Sequence, residues 1–249
     1  MVDKFSFYSK SADAKPGRGK GEMVINPKDY TELEKIKDWR KALSNFHIAP
    51  FILDDNQWNS VEHFFHAVKF RNNKIPSKPD DKYKNYEFYQ TFTVNGERPW
   101  STNPIFAKQA GKAGRKSIRK GKEYVFDGII DGVKIPKNVQ MREDFYTSNV
   151  DSRLQKVAFL AKFTQHDDLK RLLLATGDAE LWHYTGNRGS PKVRKGNPTD
   201  DEGKPEVKKC IILFEELMIV RNCIRKFDKK CNLAKVSQFS SDFITDILT

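Results

Sequence analysis

No part of the 249-residue chain comes near the run of roughly 18 apolar residues that a membrane-crossing helix needs. The opening Met1-Val2-Asp3-Lys4-Phe5 lacks the apolar segment of a secretory leader. Cysteine is scarce: Cys210, Cys223 and Cys231 are an odd number without CxxC spacing. A disulfide framework and a zinc site are therefore not expected, and a reducing, cytoplasmic location is. Among the five histidines only His66 lies at ligand spacing from a carboxylate, Glu62, and a third ligand is missing. No metal and no cofactor are expected. The glycine-rich segment 15–22 lacks the spacing of a nucleotide P-loop, although its amides with Arg18 and Lys20 suit a phosphate.

Acidic residues are the minority, 33 against 45 Lys and Arg, giving a formal charge of +12. Such an excess points to an anionic partner, phosphate or nucleic acid. It is densest over residues 108–122, where Lys108, Lys112, Arg115, Lys116, Arg119, Lys120 and Lys122 occur with no acidic residue. A solvated basic face and a phosphate- or nucleic-acid-binding surface fit that run about equally well.

What the chain does have is an ordered series of amphipathic segments. Phe5-Ser6-Phe7-Tyr8-Ser9 alternates as a short strand does. Residues 29–39 read as a charged surface helix starting near Pro27. The two Asp-Gly pairs at 127–128 and 131–132 predict a β-hairpin insertion near 124–135. A helix capped near Asp151 buries Leu154, Val157, Ala158 and Ala161, and another from Asp167 or Asp168 buries Leu169, Leu172 and Leu173. The last helix is expected from about Val207 to Phe227, with Cys210, Leu213, Phe214, Leu217, Val220 and Ile224 as its stripe. Residues 187–209 read as a long loop. No repeat or linker divides the chain. The expectation is a mainly α, single compact helical domain over 1–249 with small β elements, a core of about 5–225 and a tail of 228–249.

The organising segment is Trp58-Asn59-Ser60-Val61-Glu62-His63-Phe64-Phe65-His66-Ala67-Val68-Lys69-Phe70. As a helix it places Val61, Phe64, Phe65 and Val68 on one apolar stripe, with Glu62, His66 and Lys69 as a polar stripe at its edge. Carboxylate, imidazole and amine beside aromatic surface suit half of an active site. The plainer alternative is a relaxed capping box of Asn59 and Glu62, a snorkelling Lys69 and a boundary histidine. On spacing alone the plainer reading is the commoner one.

That segment does not stand alone. Phe7-Tyr8-Ser9, Leu43-Ser44-Asn45-Phe46, Pro50-Phe51, Ala107-Lys108-Gln109-Ala110-Gly111, Ala161-Lys162-Phe163-Thr164-Gln165-His166, Leu172-Leu173-Leu174-Ala175-Thr176-Gly177 and Leu217-Met218-Ile219-Val220-Arg221 occur with it. In this order the chain resembles the NADAR family, also called YbiA-like proteins, from about Phe5 to Arg225. The resemblance implies a compact, mostly helical fold and an N-glycosidase acting on a phosphate-bearing ribose conjugate. The family's substrates are phosphoribosyl-amine intermediates of riboflavin synthesis, or ADP-ribose on guanine in nucleic acid. By the same resemblance Glu62 and Lys69 are the catalytic candidates, Lys69 through a Schiff base with a ring-opened ribose. Asn45 and Phe46 are implied to line the pocket, Lys108 and Arg115 to meet phosphate, and Asp144 and Tyr146 to supply a wall. Trp58 reads as a stacking surface or as core. One departure is informative. In place of the Trp-Gly-rich loop of shorter members stands His183-Tyr184-Thr185-Gly186-Asn187-Arg188-Gly189-Ser190-Pro191, as in a longer branch, with Arg188 a candidate substrate contact. This tilts the expectation toward ADP-ribose attached to a base. A non-catalytic nucleotide- or nucleic-acid-binding module, and a hydrolase of the riboflavin-type intermediates, are the alternatives.

Overall fold

The computed structural model describes residues 1–71, 81–114, 116–119, 122–126, 128–136, 138–146, 148–184 and 211–227. Its elements in chain order begin with β1 (Lys4–Phe7), α1 (Thr31–Glu34), α2 (Trp39–Ala42), β2 (Phe51–Leu53), β3 (Asn56–Trp58) and α3 (Val61–Ala67). There follow α4 (Asp81–Gln90), α5 (Pro99–Thr102), α6 (Pro104–Ala110), and the strands β4 (Lys116–Arg119), β5 (Lys122–Val125), β6 (Ile129–Ile130) and β7 (Val133–Lys134). The long helices α7 (Val150–Gln165) and α8 (Asp167–Ala175) precede β8 (Glu180–Tyr184), β9 (Ile211–Leu213) and α9 (Glu215–Phe227). The described structure is mainly helical with small sheets, as the sequence predicts. None of its helices is long and apolar enough to cross a membrane.

Two compact units emerge, each from two stretches of chain. The first, residues 1–44 and 175–218, centres on a sheet of order β1-β8-β9, with β1 parallel and β9 antiparallel to β8. Ile211 to Leu213 are thus strand, not the first turns of the last helix. Consecutive β-branched residues fit a pleated edge better than a helix, and α9 begins only at the acidic pair Glu215-Glu216. Residues 29–39 are likewise not one helix. Asp38 sits in the left-handed region at φ 55° between α1 and α2, and Tyr30, Leu33 and Trp39 are buried. Phe5 meets the rings of Tyr30 and Trp39 edge-on at 4.8 and 5.1 Å.

The glycine-rich loop of this unit already holds an anion of its own. Glu22 accepts from the amides of Gly17 and Gly19 at 3.0 and 2.9 Å and from the guanidinium of Arg40 at 2.7 Å. Arg40 also donates to the carbonyls of Ala14 and Lys15. The side chains of both ions are sealed from water, at 2% and 0% exposure. The amides that suited a phosphate are occupied by a carboxylate of the chain itself.

The second unit, residues 45–174 and 219–249, builds the surroundings of α3. β2 and β3 form a hairpin whose two-residue turn, Asp54-Asp55, has both φ values positive, at 52° and 57°. That turn shape matches the twist of the strands it joins. A second such hairpin is β6–β7, turning at Asp131 and Gly132 with φ 48° and 77°, as expected from the sequence. β4 pairs with β5, so part of the basic stretch is strand. α7 and α8 bury the leucine, valine and alanine faces that their spacing predicts.

Because Glu22 and Arg40 compensate one another in a water-free place, removing one partner strands the other. Arg40→Met is expected to lower unfolding free energy by about 3–5 kcal/mol in a denaturant titration. A loss below about 1 kcal/mol would show the ion pair to be dispensable.

Candidate active site

The hairpin β2–β3 delivers the chain to Ser60, whose extended backbone (φ −161°) caps α3. Ser60 Oγ meets His63 Nδ1 at 2.7 Å, and Asn59 donates to the carbonyl of Ser101 at 2.8 Å. The capping box read between Asn59 and Glu62 is therefore not formed. Glu62 is released from that duty, and its backbone N–H goes to the carbonyl of Asn45 at 3.0 Å. Val61, Phe64 and Val68 are fully buried and anchor the helix, which packs on α6 and α7. Each such side chain contributes about 1.5–3 kcal/mol by leaving water. The polar stripe is thereby held in place by its apolar neighbour.

On that stripe the Glu62 carboxylate is 4% exposed and accepts from His66 Nε2 at 3.0 Å. Lys108 of α6 stands 4.0 Å from the same oxygen, and its ammonium lies 5.2 Å from the Phe46 ring centroid. Burial pushes the carboxyl pKa of Glu62 up, but the hydrogen bond from His66 together with the ammonium groups of Lys108 and Lys69 outweighs it and holds the group below its ordinary range. Burial is also the largest influence on His66. It outweighs the pull of Glu62 and holds the imidazole neutral at neutral pH. The pair is an ionised carboxylate and a neutral histidine that donates Nε2–H.

After α3 the chain tightens into a 3-10 turn, Val68–Phe70, which carries Lys69. Its ammonium is surrounded by the rings of Phe65, Phe145 and Tyr146 at 5.2, 5.5 and 5.5 Å. The Arg142 amide donates to the Lys69 carbonyl at 2.8 Å and so ties the segment 142–146 against this turn. Tyr146 is 55% exposed, an aromatic face open to a ligand. Asp144 is engaged by Arg142 through two oxygens at 2.6 Å each, so it serves the wall as a partner of arginine.

The expected residues thus divide. Glu62, Lys69, Lys108 and Phe46 share one polar and aromatic cluster, with Asn45 joined by its backbone and Tyr146 at the rim. Trp58 lies in the core, fully buried, its indole N–H bonded to the carbonyl of Leu53 at 3.0 Å and its ring against Phe64 and Tyr89. Arg115 and Arg188 lie outside the described residues. Two neighbours carried little or no signal. His66 is four residues from Glu62, which placed it on the stripe without showing that it touches the carboxylate. Gly111, at the end of α6, leaves room for the His66 ring: a Cβ there would lie 2.1 Å from His66 Nδ1. A separate cavity of about 240 Å³, lined by Glu87, Phe88, Arg98, Trp100, Lys134 and others, shares no residue with this cluster. Among the described residues there is no group of three His, Cys, Asp or Glu placed to hold a metal.

Comparison with known proteins gives the chain relatives. It is 28% identical over 144 residues to proteins called N-glycosidase YbiA from Escherichia coli strain K12 and from Shigella flexneri. The matched stretch is 58% of this chain and 62% of each relative, less than two thirds of their length. An NMR structure of the E. coli protein YbiA aligns with 77% of this chain and 82% of its own, at 21% identity and a TM-score of 0.43. No family model matches. The relatives so named agree with the YbiA-like resemblance read from the sequence.

Two measurements probe this geometry. Gly111→Ala pushes a methyl into the His66 ring, and a stability loss of about 1–3 kcal/mol is expected on chemical unfolding; an unchanged midpoint would contradict the close approach. The buried titratable groups set the second. Burial holds His47 and His63 to pKa values of about 4 and Lys162 to about 7, each below its ordinary value. The unfolded chain then binds more protons than the folded one between those values and the ordinary ones. Stability should rise with pH from about 4 to 6.5 through the histidines, and from about 7 to 10.5 through Lys162. Lys162→Met should abolish the upper rise, a change on the order of a few kcal/mol. A wild-type profile already flat above pH 7 would refute it.

Proposed function

We propose that this chain is an N-glycosidase that hydrolyses the bond between ribose C1 and nitrogen in a phosphate-bearing ribose conjugate, with ADP-ribose attached to guanine as the preferred substrate. The observation that carries the proposal is the Glu62 carboxylate, buried yet held ionised beside cations and aromatic rings. The named activity of the YbiA relatives supports it. So does the excess of positive charge, which suits an anionic substrate and extends to a conjugate within nucleic acid.

Departure of the nitrogen leaves positive charge on C1 and the ring oxygen. A fixed carboxylate in a water-poor place stabilises that charge more than it stabilises the neutral ground state. The C1–N bond breaks with its electron pair going to nitrogen, water oxygen bonds to C1, and a proton of that water ends on the leaving base. Glu62 is assigned the electrostatic role and the relay of that proton. Lys108, with 57% of its side chain exposed beside Phe46, is assigned to the phosphate arm. Tyr146 is assigned to stack on the leaving base. Lys69 is assigned to condense with the aldehyde of the ring-opened ribose, forming an imine and releasing water, and a second water then hydrolyses the imine back to the amine and the free aldehyde.

The test presents ADP-ribosylated guanine oligonucleotide, free ADP-ribose conjugates and phosphoribosyl-aminopyrimidines side by side, with released base or amine followed by mass spectrometry. Wild type is expected to release product, and folded Glu62→Gln to be slower by about a hundredfold or more. Undiminished activity of Glu62→Gln would exclude the assignment, and binding with a steep salt slope but no product would identify a binding module instead. Borohydride added during turnover is expected to leave an adduct on Lys69, and its absence would remove the imine step.

A further inference from the structure

We propose that His66 is a positioning residue for Glu62: its Nε2–H fixes one carboxylate oxygen, while Gly111 packs against the ring and holds it in that orientation. The inference rests on the N-glycosidase reading for its effect on rate, and on geometry alone for its effect on Glu62.

Three observations converge. The Nε2–Oε1 distance of 3.0 Å joins two side chains that are each almost sealed from water. The opposite ring atom, Nδ1, is buried and has no hydrogen-bond partner among the described residues. An imidazolium would place a second proton on that nitrogen with nothing to receive it, so the neutral tautomer with hydrogen on Nε2 is the one this pocket accommodates. Third, Gly111 lies so close that any side chain there would displace the ring. The histidine is thus limited in rotation, in tautomer and in charge.

The effect follows from the balance around the carboxylate. Burial alone would favour the protonated acid, which cannot offset charge on a ribosyl cation. His66 opposes that from α3 itself, Lys69 from the 3-10 turn that follows it, and Lys108 from α6. On α3, His63 also feels the charge of Glu62. From α7, which packs on α3, Lys162 acts on His47. Lys108 is largely exposed and 4.0 Å away, so solvent weakens its contribution. Among the described residues His66 supplies the one short, dry hydrogen bond to Glu62, and such a bond to the ionised form lowers a carboxyl pKa.

The experiment compares wild type, His66→Leu and His66→Gln. Leucine removes the donor, whereas glutamine retains an amide N–H able to reach the carboxylate one turn away. Titration of the Glu62 carboxyl carbon by NMR is expected to show a rise of about one pH unit or more in His66→Leu and recovery in His66→Gln. In the turnover assay the acidic limb of the pH–rate profile should move up by the same interval in His66→Leu, with kcat falling more than KM changes, and return in His66→Gln. An unshifted Glu62 titration in folded His66→Leu would overturn the inference, as would a folded His66→Gln that behaves like the leucine variant. The NMR readout needs no substrate. If no conjugate is cleaved by wild type but the titration shifts as stated, the functional reading fails and the positioning role stands.

Discussion

The constraint on which the local architecture depends is the presence of an ionised carboxylate, Glu62, in a nearly dry place. Leaving a carboxylate unpaired in such surroundings costs several kcal/mol or forces it to take up a proton. Much of the neighbourhood can be understood as the response. His66 donates to the carboxylate, Gly111 makes space for His66, Lys108 and Lys69 supply positive potential, and Asn45 takes the backbone N–H that a capping role would otherwise have used. The apolar face of α3 and the turn that follows it provide the rigidity, because Val61, Phe64 and Val68 cannot shift without disturbing the core.

Two buried carboxylates among the described residues, Glu22 and Glu62, show how the same arrangement serves different ends. Glu22 is saturated: three backbone amides, of Ser6, Gly17 and Gly19, and a guanidinium meet it, and nothing in that set is left for an outside group. Among the described residues Glu62 has one short partner, His66, and a more distant, largely exposed ammonium, Lys108. A fully satisfied carboxylate stiffens a loop. One satisfied on a single side keeps an oxygen available for charge that arrives only during a reaction.

Much of this was legible in the sequence, and the failures have physical causes. The faces of α7 and α8 were readable because leucine, valine and alanine recur at helical spacing over nine residues or more. The Asp131-Gly132 turn was readable because few residue pairs accept two positive φ values. The start of the last helix was not, since Leu213 and Phe214 continue its apolar stripe although Leu213 pairs with Trp182 in a sheet. Tertiary partners decided that boundary. Within the site, spacing put Glu62 and Lys69 on one polar stripe, but it took the resemblance to a family to name them, and Lys108, as candidates. That His66 touches Glu62 while Trp58 recedes into the core depended on rotamers and neighbours far along the chain. The role of Gly111 is legible only from the atoms that crowd it.

That crowding bears on how the chain can vary. Positions 66 and 111 lie 45 residues apart, yet the ring at one leaves no volume for a methyl at the other. Neither can be exchanged freely while its counterpart stays as it is. A flatter or shorter side chain at 66 would release 111 from glycine, whereas any larger residue at 111 would be admissible only after 66 had changed. The order of substitutions is thereby constrained, and along lineages these two sites should drift as a linked pair, not independently.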